Sequence, residues 1–406
     1  TGERNRPNGQ LAERRTVTMA TLRGMTWDHV RGYAPLEAAA GKFGETRPDF
    51  EIVWDRRSLK DFGDYPVDEL ARQYDIIMID HPHVGISSGQ NVLVPLDDRI
   101  PAAYLQDQEI NSAGPSHQSY KWEGRQWALA VDAAAQVAAY RPDLLSEREV
   151  PRTWQQVREL ARSRPGAVGW PLCPTDAMCS FLSLCAGSDP AFFDERVGID
   201  PAVGEAAVAL IFELLPHLHP TSLDFNPIGM YDRMAAGNDI AYVPCAFGYT
   251  NYARRGFAPK RLRFADIPAT SLEPRGSLLG GVGMAISAYS PHIQLAVEFA
   301  MFVASGDAQR TLYVENGGQP GHAGAWRDAA ANETCGGFFA DTTRTMEFSY
   351  VRPRNPAFPS FQEQAGALLH EALRKRSGGE AVAASGVVRA MNLLYRECLA
   401  AQRAFR

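Results

Sequence analysis

An α/β architecture of two lobes, each a sheet flanked by helices, is the fold class that three features of the sequence predict. A strand–helix rhythm starts, lapses and starts afresh. One nearly continuous apolar run has the character of a strand buried on both faces of a parallel sheet. The length of 406 residues exceeds the roughly 250–300 at which a single hydrophobic core stops growing.

The elements follow in order. Residues 16–27 mix β-branched and apolar side chains and end in the polar cluster Asp28, His29 and Arg31, which reads as a first strand and its exit loop. Residues 36–43 are alanine-rich at helical spacing, Pro48 interrupts, and 50–54 alternate as a second strand should. Residues 74–79 form the apolar run, closed by Asp80, His81 and His83. After a long mixed apolar stretch at 127–140, the sequence predicts helices at 155–162, 181–186, 204–215 and 294–303, and strands at 168–172 and 239–243. The tail, 356–403, reads as helix with one break at 377–379.

Composition narrows the function classes. Hydrophobic residues make up 45% and charged residues 22%, the balance of a soluble globular protein. Lys and Arg total 41 against 47 Asp and Glu, a formal charge of −6 with no basic block, so nucleic acid is not an expected partner. No run is long and apolar enough to span a bilayer. Residues 1–15 are polar and lack the apolar centre of a secretory signal; a leader removed before this numbering would leave the same picture. The six cysteines, at 173, 179, 185, 245, 335 and 398, lack CxxC spacing and read as free thiols, which favours a reducing compartment.

Several short motifs carry a chemical reading beside a structural one. Gly85-Ile86-Ser87-Ser88-Gly89 fits GxSxG, but the strand before it ends near Asp80, so the serine lacks the strand-to-helix elbow a nucleophile needs. His81 and His83 with Asp80 are suitable metal donors, yet no HExxH helix or cysteine pair completes a site, and no metal or cofactor is expected. His217 and His219 read as helix-end caps. Gly280-Gly281-Val282-Gly283 lacks the dinucleotide spacing and reads as close backbone packing or a hinge. More informative are Trp27, Trp170 and Tyr249, each placed at or just beyond an expected strand. There aromatic faces can cover sugar rings while Asp28, His29 and Asp80 exchange hydrogen bonds. Arg23 and Arg31 read equally as partners of an anionic ligand or as solvated charges.

Longer stretches carry a family resemblance. They are Gly124-Arg125-Gln126-Trp127-Ala128-Leu129, Pro151-Arg152-Thr153-Trp154, and the run from Met234 through Gly237, Asn238 and Asp239 to Ala241. The most specific is Gly280-Gly281-Val282-Gly283-Met284-Ala285-Ile286-Ser287, followed by Ser290-Pro291, a helix with Ala296, Glu298 and Phe299, and Gly318 to Pro320. In order and spacing the chain resembles the family 1 extracellular solute-binding proteins of ABC importers, the maltose-binding-like group.

The resemblance implies a type II periplasmic-binding-protein fold whose lobes are joined by hinge crossovers and close on a ligand. The expected division is 16–131 with 283–325 for the N-terminal lobe, 132–282 with 326–406 for the C-terminal lobe, and a polar extension at 1–15. It implies a monomer outside the cytoplasm, in the periplasm or at the cell surface. Its partners would be a small carbohydrate-like ligand and ABC permease subunits. The ligand would touch Trp27, Asp28, His29, Asp80, His81, Trp170, Tyr249 and Gly281. An alternative is a cytoplasmic protein of the same fold used as a sensor, or as an enzyme in which His29 or His81 works as acid or base oriented by Asp28 or Asp80.

Overall fold

A computed structural model describes residues 19–58, 66–270 and 273–404. The polar extension and the first residues of the expected opening strand lie outside them. Strand β1 (Ala20–Trp27) and strand β2 (Phe50–Arg57) pair in parallel from Ala20 opposite Phe50. Helix α1 (Val30–Gly44) crosses between them and buries Leu36, Ala39 and Phe43, residues at the three- and four-residue spacing of one helix face. Helix α2 (Val67–Gln73) leads into β3 (Ile76–Ile79), whose four residues are all buried and which runs parallel to β1.

The long strand β4 (Leu129–Tyr140) is buried throughout its 12 residues. Five alanines past Val131 give it a weak intrinsic strand preference, but small side chains let helices approach closely from both faces. Helices α3 (Trp154–Ser163), α4 (Pro174–Ser188), α5 (Pro201–Leu214) and α6 (Pro227–Ala236) follow. Then come strands β5 (Tyr242–Phe247), β6 (Arg263–Ala265) and β7 (Leu279–Ile286). Helices α7 (Ile293–Ala304), α8 (Phe338–Glu347), α9 (Phe358–Ser377) and α10 (Ala384–Ala404) complete the labelled elements.

The strand order is β6-β4-β7-β3-β1-β2, with β5 on β4 beside this path. Strand β7 is antiparallel to both β3 and β4. The first half of β4 pairs with β7, while its second half pairs with β5 and β6. One strand therefore serves two sheets, and the chain is two-lobed. Side chains along β4 alternate as the pleat requires: Leu129 and Val131 join the α1–α7 side of the first sheet, Ala130 the other. Farther on, Ala138 and Tyr140 face α4 and α9, whereas Val137 and Ala139 face α6 and α8.

The expected strand at 168–172 is not formed; Val168 makes single bridges to Leu218 and Tyr242, and Pro171 three residues on removes a ladder donor. The strand expected at 239–243 begins three residues later, at Tyr242. The GxSxG run lies in the short helix Val84–Gly89, without an elbow. His219 caps, but at the start of the turn Pro220–Leu223, where its ring accepts from the Thr221 amide. All six cysteines are free. Among the described residues no helix is long and apolar enough to cross a membrane.

Candidate ligand site between the lobes

Strand β1 delivers Trp27, Asp28 and His29 to the junction of the lobes. The Trp27 ring lies against the backbone of α1 at Gly32, where a β-carbon would come within 2.5 Å of it. Asp28 is exposed. His29 caps α1, its Nδ1 accepting from the Arg31 amide at 3.1 Å, and its ring meets the edge of Tyr249 from the second lobe at 4.9 Å. Burial and the nearby Arg31 charge pull its pKa down to about 4, so it is neutral at pH 7.

Arg31 is the hub. It is 3% exposed and grips Asp132 of β4 with two parallel bonds of 2.9 and 2.5 Å. A third bond of 2.8 Å goes to the carbonyl of Gly248, and the guanidinium lies 4.7 Å from the centre of the Tyr249 ring. Burial works against the guanidinium's charge, but Asp132 overcomes it and holds the group protonated. Gln319 bridges the same region, donating to the Ala133 carbonyl at 2.8 Å and accepting from the Thr250 amide at 3.2 Å.

Beyond β3, the Asp80 carboxylate accepts from the His81 amide at 2.8 Å and receives both oxygens' worth of contact from Arg352, at 2.7 and 2.6 Å. Burial opposes its ionisation, but Arg352 and His81 outweigh it and hold the carboxyl well below the usual range. His81 is fully buried; burial, helped by Arg352, lowers its pKa to about 4. Tyr120 stands edge-on to it at 6.3 Å and donates to the carbonyls of Ile79 and Gly281. Gly281 has φ of +97° and faces Asp132 so closely that a β-carbon would sit 2.2 Å from its carbonyl oxygen. Only glycine fits that backbone.

The second lobe contributes residues not foreseen from sequence. Asp176, in the first turn of α4, is 7% exposed and accepts from the Cys173 thiol at 3.0 Å. No cation pairs with it among the described residues, and burial pushes its pKa up to about 7. Gln136 accepts from Ser183 at 2.6 Å and Cys245 at 3.4 Å. Trp170, by contrast, is fully buried, stacked on Trp154 at 5.1 Å and donating to Ser180 at 2.9 Å; it stands in the second lobe's core.

Buried polar atoms with no hydrogen-bond partner collect along this junction: His81 Nε2, Arg352 Nε, Gln136 Nε2, Asn251 Oδ1 and Tyr313 Oη. Each such atom costs about 1–3 kcal/mol if left unmatched. Once the lobes part, a polar guest can match them. Arg31, His81, Asp132 and Arg352 are each 3% exposed or less, so the lobes meet over these groups. A hollow of about 340 Å³ lined by Ala186, Pro190, Phe348 and Tyr350 lies on the second lobe and includes none of them. No cluster of three or more His, Cys, Asp or Glu is arranged to hold a metal among the described residues.

Two sheets sharing crossing strands, with buried polar groups where the strands' carboxyl ends face one another, define a two-lobed binding protein. Residues 67–330 match the family model described as bacterial extracellular solute-binding protein, which covers well over half of the 406 residues. The chain belongs to that family, whose members act outside the cytoplasm.

Solved structures agree in fold. The GacH receptor of Streptomyces glaucescens GLA.O, determined unliganded and with acarbose, is 17% identical with a TM-score of 0.77, over 94% of this chain and 98% of that one. An ABC transporter solute-binding protein of Thermotoga lettingae TMO bound with α-D-tagatose is 15% identical with a TM-score of 0.77, over 93% and 99%. One from Agrobacterium radiobacter K84 in complex with ribitol is 17% identical with a TM-score of 0.77, over 94% and 99%.

Proposed function

We propose that this chain is the solute-capturing component of an ABC importer. In this reading it works as a monomer outside the cytoplasm, closes on a small polyhydroxylated, sugar-like molecule and presents the closed form to permease subunits. The moving bodies are residues 16–131 with 283–325 and residues 132–282 with 326–406. At the β4 crossing the apolar clusters change over where this division falls, Val131 packing with the first sheet and Ala133 with the second, while Ala113, Val314 and Ala325 of the first body pack against the second. The observation that carries the reading is the row of unmatched buried donors and acceptors at the junction, because hydroxyl-rich solutes supply both kinds of partner. Neighbours of the same fold crystallised with a sugar and a polyol add to it.

The contacts proposed are Trp27, Asp28, His29, Asp80, His81, Tyr249 and Gly281, joined by Gln136 and Asp176. Closing around a ligand withdraws these contacts from water, where they are stronger. The acid–base alternative finds less support, since Arg352 already engages both oxygens of Asp80. Calorimetric titration with a panel of mono- and oligosaccharides and polyols, read alongside tryptophan fluorescence, tests the proposal. Saturable heat with a fluorescence change is expected for at least one member, with the ligand recovered chemically unchanged. Silence across the panel, or conversion of the ligand, overturns it.

A further inference from the structure

The charge balance of the junction points to the class of solute, an inference that rests on the function just proposed. The two arginines that face the junction are each neutralised by a carboxylate: Arg31 by Asp132, and Arg352, whose Nε alone is unmatched, by Asp80. His29 and His81 are neutral at pH 7. Asp176 is the opposite case, a carboxyl 7% exposed whose hydrogen-bond partner is a thiol.

Asp176 shares a face of α4 with Cys179 and Ser180, three and four residues on. Ser180 ties that face to the crossover strand: its hydroxyl donates to Cys245 Sγ at 3.8 Å, and Cys245 donates at 3.4 Å to Gln136 Oε1, on the same side of β4 as Asp132. A second observation points to a guest there. Gln136, fully buried, accepts from Ser183 and Cys245 through its oxygen while its Nε2 has no partner.

We propose that Asp176 is a ligand-binding carboxylate and that the captured solute carries a protonated amine, as amino sugars and amino polyols do, rather than a carboxylate or phosphate. An ammonium brought to a buried carboxylate forms a charge-assisted hydrogen bond and supplies the counter-charge that no described residue gives it. An anionic solute would meet Asp176, while the charges of Arg31 and Arg352 are already balanced by Asp132 and Asp80.

The test is calorimetric titration at pH 7 with matched pairs: D-glucose with D-glucosamine, D-galactose with D-galactosamine, and D-sorbitol with D-glucamine. N-acetyl-D-glucosamine and D-glucuronate are the uncharged and acidic controls. In at least one pair the amine should bind on the order of tenfold more tightly than its neutral parent, N-acetylation should remove the gain, and Asp176→Asn should abolish the difference. Equal binding of parent and amine, or preference for glucuronate, overturns this inference and leaves the proposed function standing. Silence with these probes and with the wider sugar panel overturns both. The comparison within the wild-type protein decides the matter even if Asp176→Asn does not fold.

Discussion

His81 shows how burial, with a neighbouring guanidinium, sets the state of a side chain. Held fully inside beside Arg352, its imidazole titrates near 4 instead of 6.5, so folding favours the neutral ring. A depressed histidine pKa means that the unfolded chain takes up the proton first as pH falls. The stabilisation is therefore complete above pH 6.5 and is lost as pH falls through 4. Replacing His81 with Gln should reduce the stability lost between pH 7 and pH 4.5 by about 2 kcal/mol, measured by urea unfolding at the two pH values. An identical loss in both proteins would refute the assignment.

At this same scale the sequence was partly legible. His29, His81 and Tyr249 could be placed at strand ends because apolar runs stop visibly at polar residues. Arg31 and Asp132 pair across 101 positions, and nothing local announces such a partner, although a lone carboxylate inside an alanine-rich strand demands one. Trp170 misled because the extended stretch around it looks like a strand and its exit, whereas its indole is packed against Trp154.

Among the elements, β7 carries the tightest constraint. Gly280 faces the Phe247 ring, Gly283 the Tyr120 ring, and Gly281 the backbone of β4, each too near for a β-carbon. The run read from sequence as close packing or a hinge is thus the interior of a strand wedged between neighbours. Gly281→Ala combines a left-handed φ with a backbone collision and should cost about 3 kcal/mol or more. Gly124 has φ of +78° but open space around it, so Gly124→Ala should cost only about 1 kcal/mol. Comparing the urea midpoints of the two variants separates conformational strain from collision; equal losses would contradict the packing described. Long helices such as α7 and α9 were readable from their periodicity. The boundaries of β5 were not, because Gly237-Asn238-Asp239 sets a turn whose exit sequence does not mark.

For the molecule as a whole, Arg31 joins α1 of the first lobe to the crossover and to the loop after β5. Arg31→Lys keeps a positive charge for Asp132 but gives up the planar fork that also reaches Gly248. The ligand-free variant should scatter X-rays with a larger radius of gyration, and its affinity for whichever sugar the panel identifies should fall by about tenfold. Unchanged scattering and affinity would show that this tie does not govern closure.

The insertion of β7 between β3 and β4 has a consequence for biosynthesis. The first sheet is missing an inner member until residue 286 leaves the ribosome, long after β3 and β4 have emerged. At about 5–20 residues per second the delay after β4 is roughly 7–30 s, during which the flanks of Ile76–Ile79 and Leu129–Ala135 stand unclosed. A nascent chain of this topology needs shelter from its neighbours for that interval, and a transcript cut before the β7 codons would yield a product with an open, sticky sheet rather than half of a working protein.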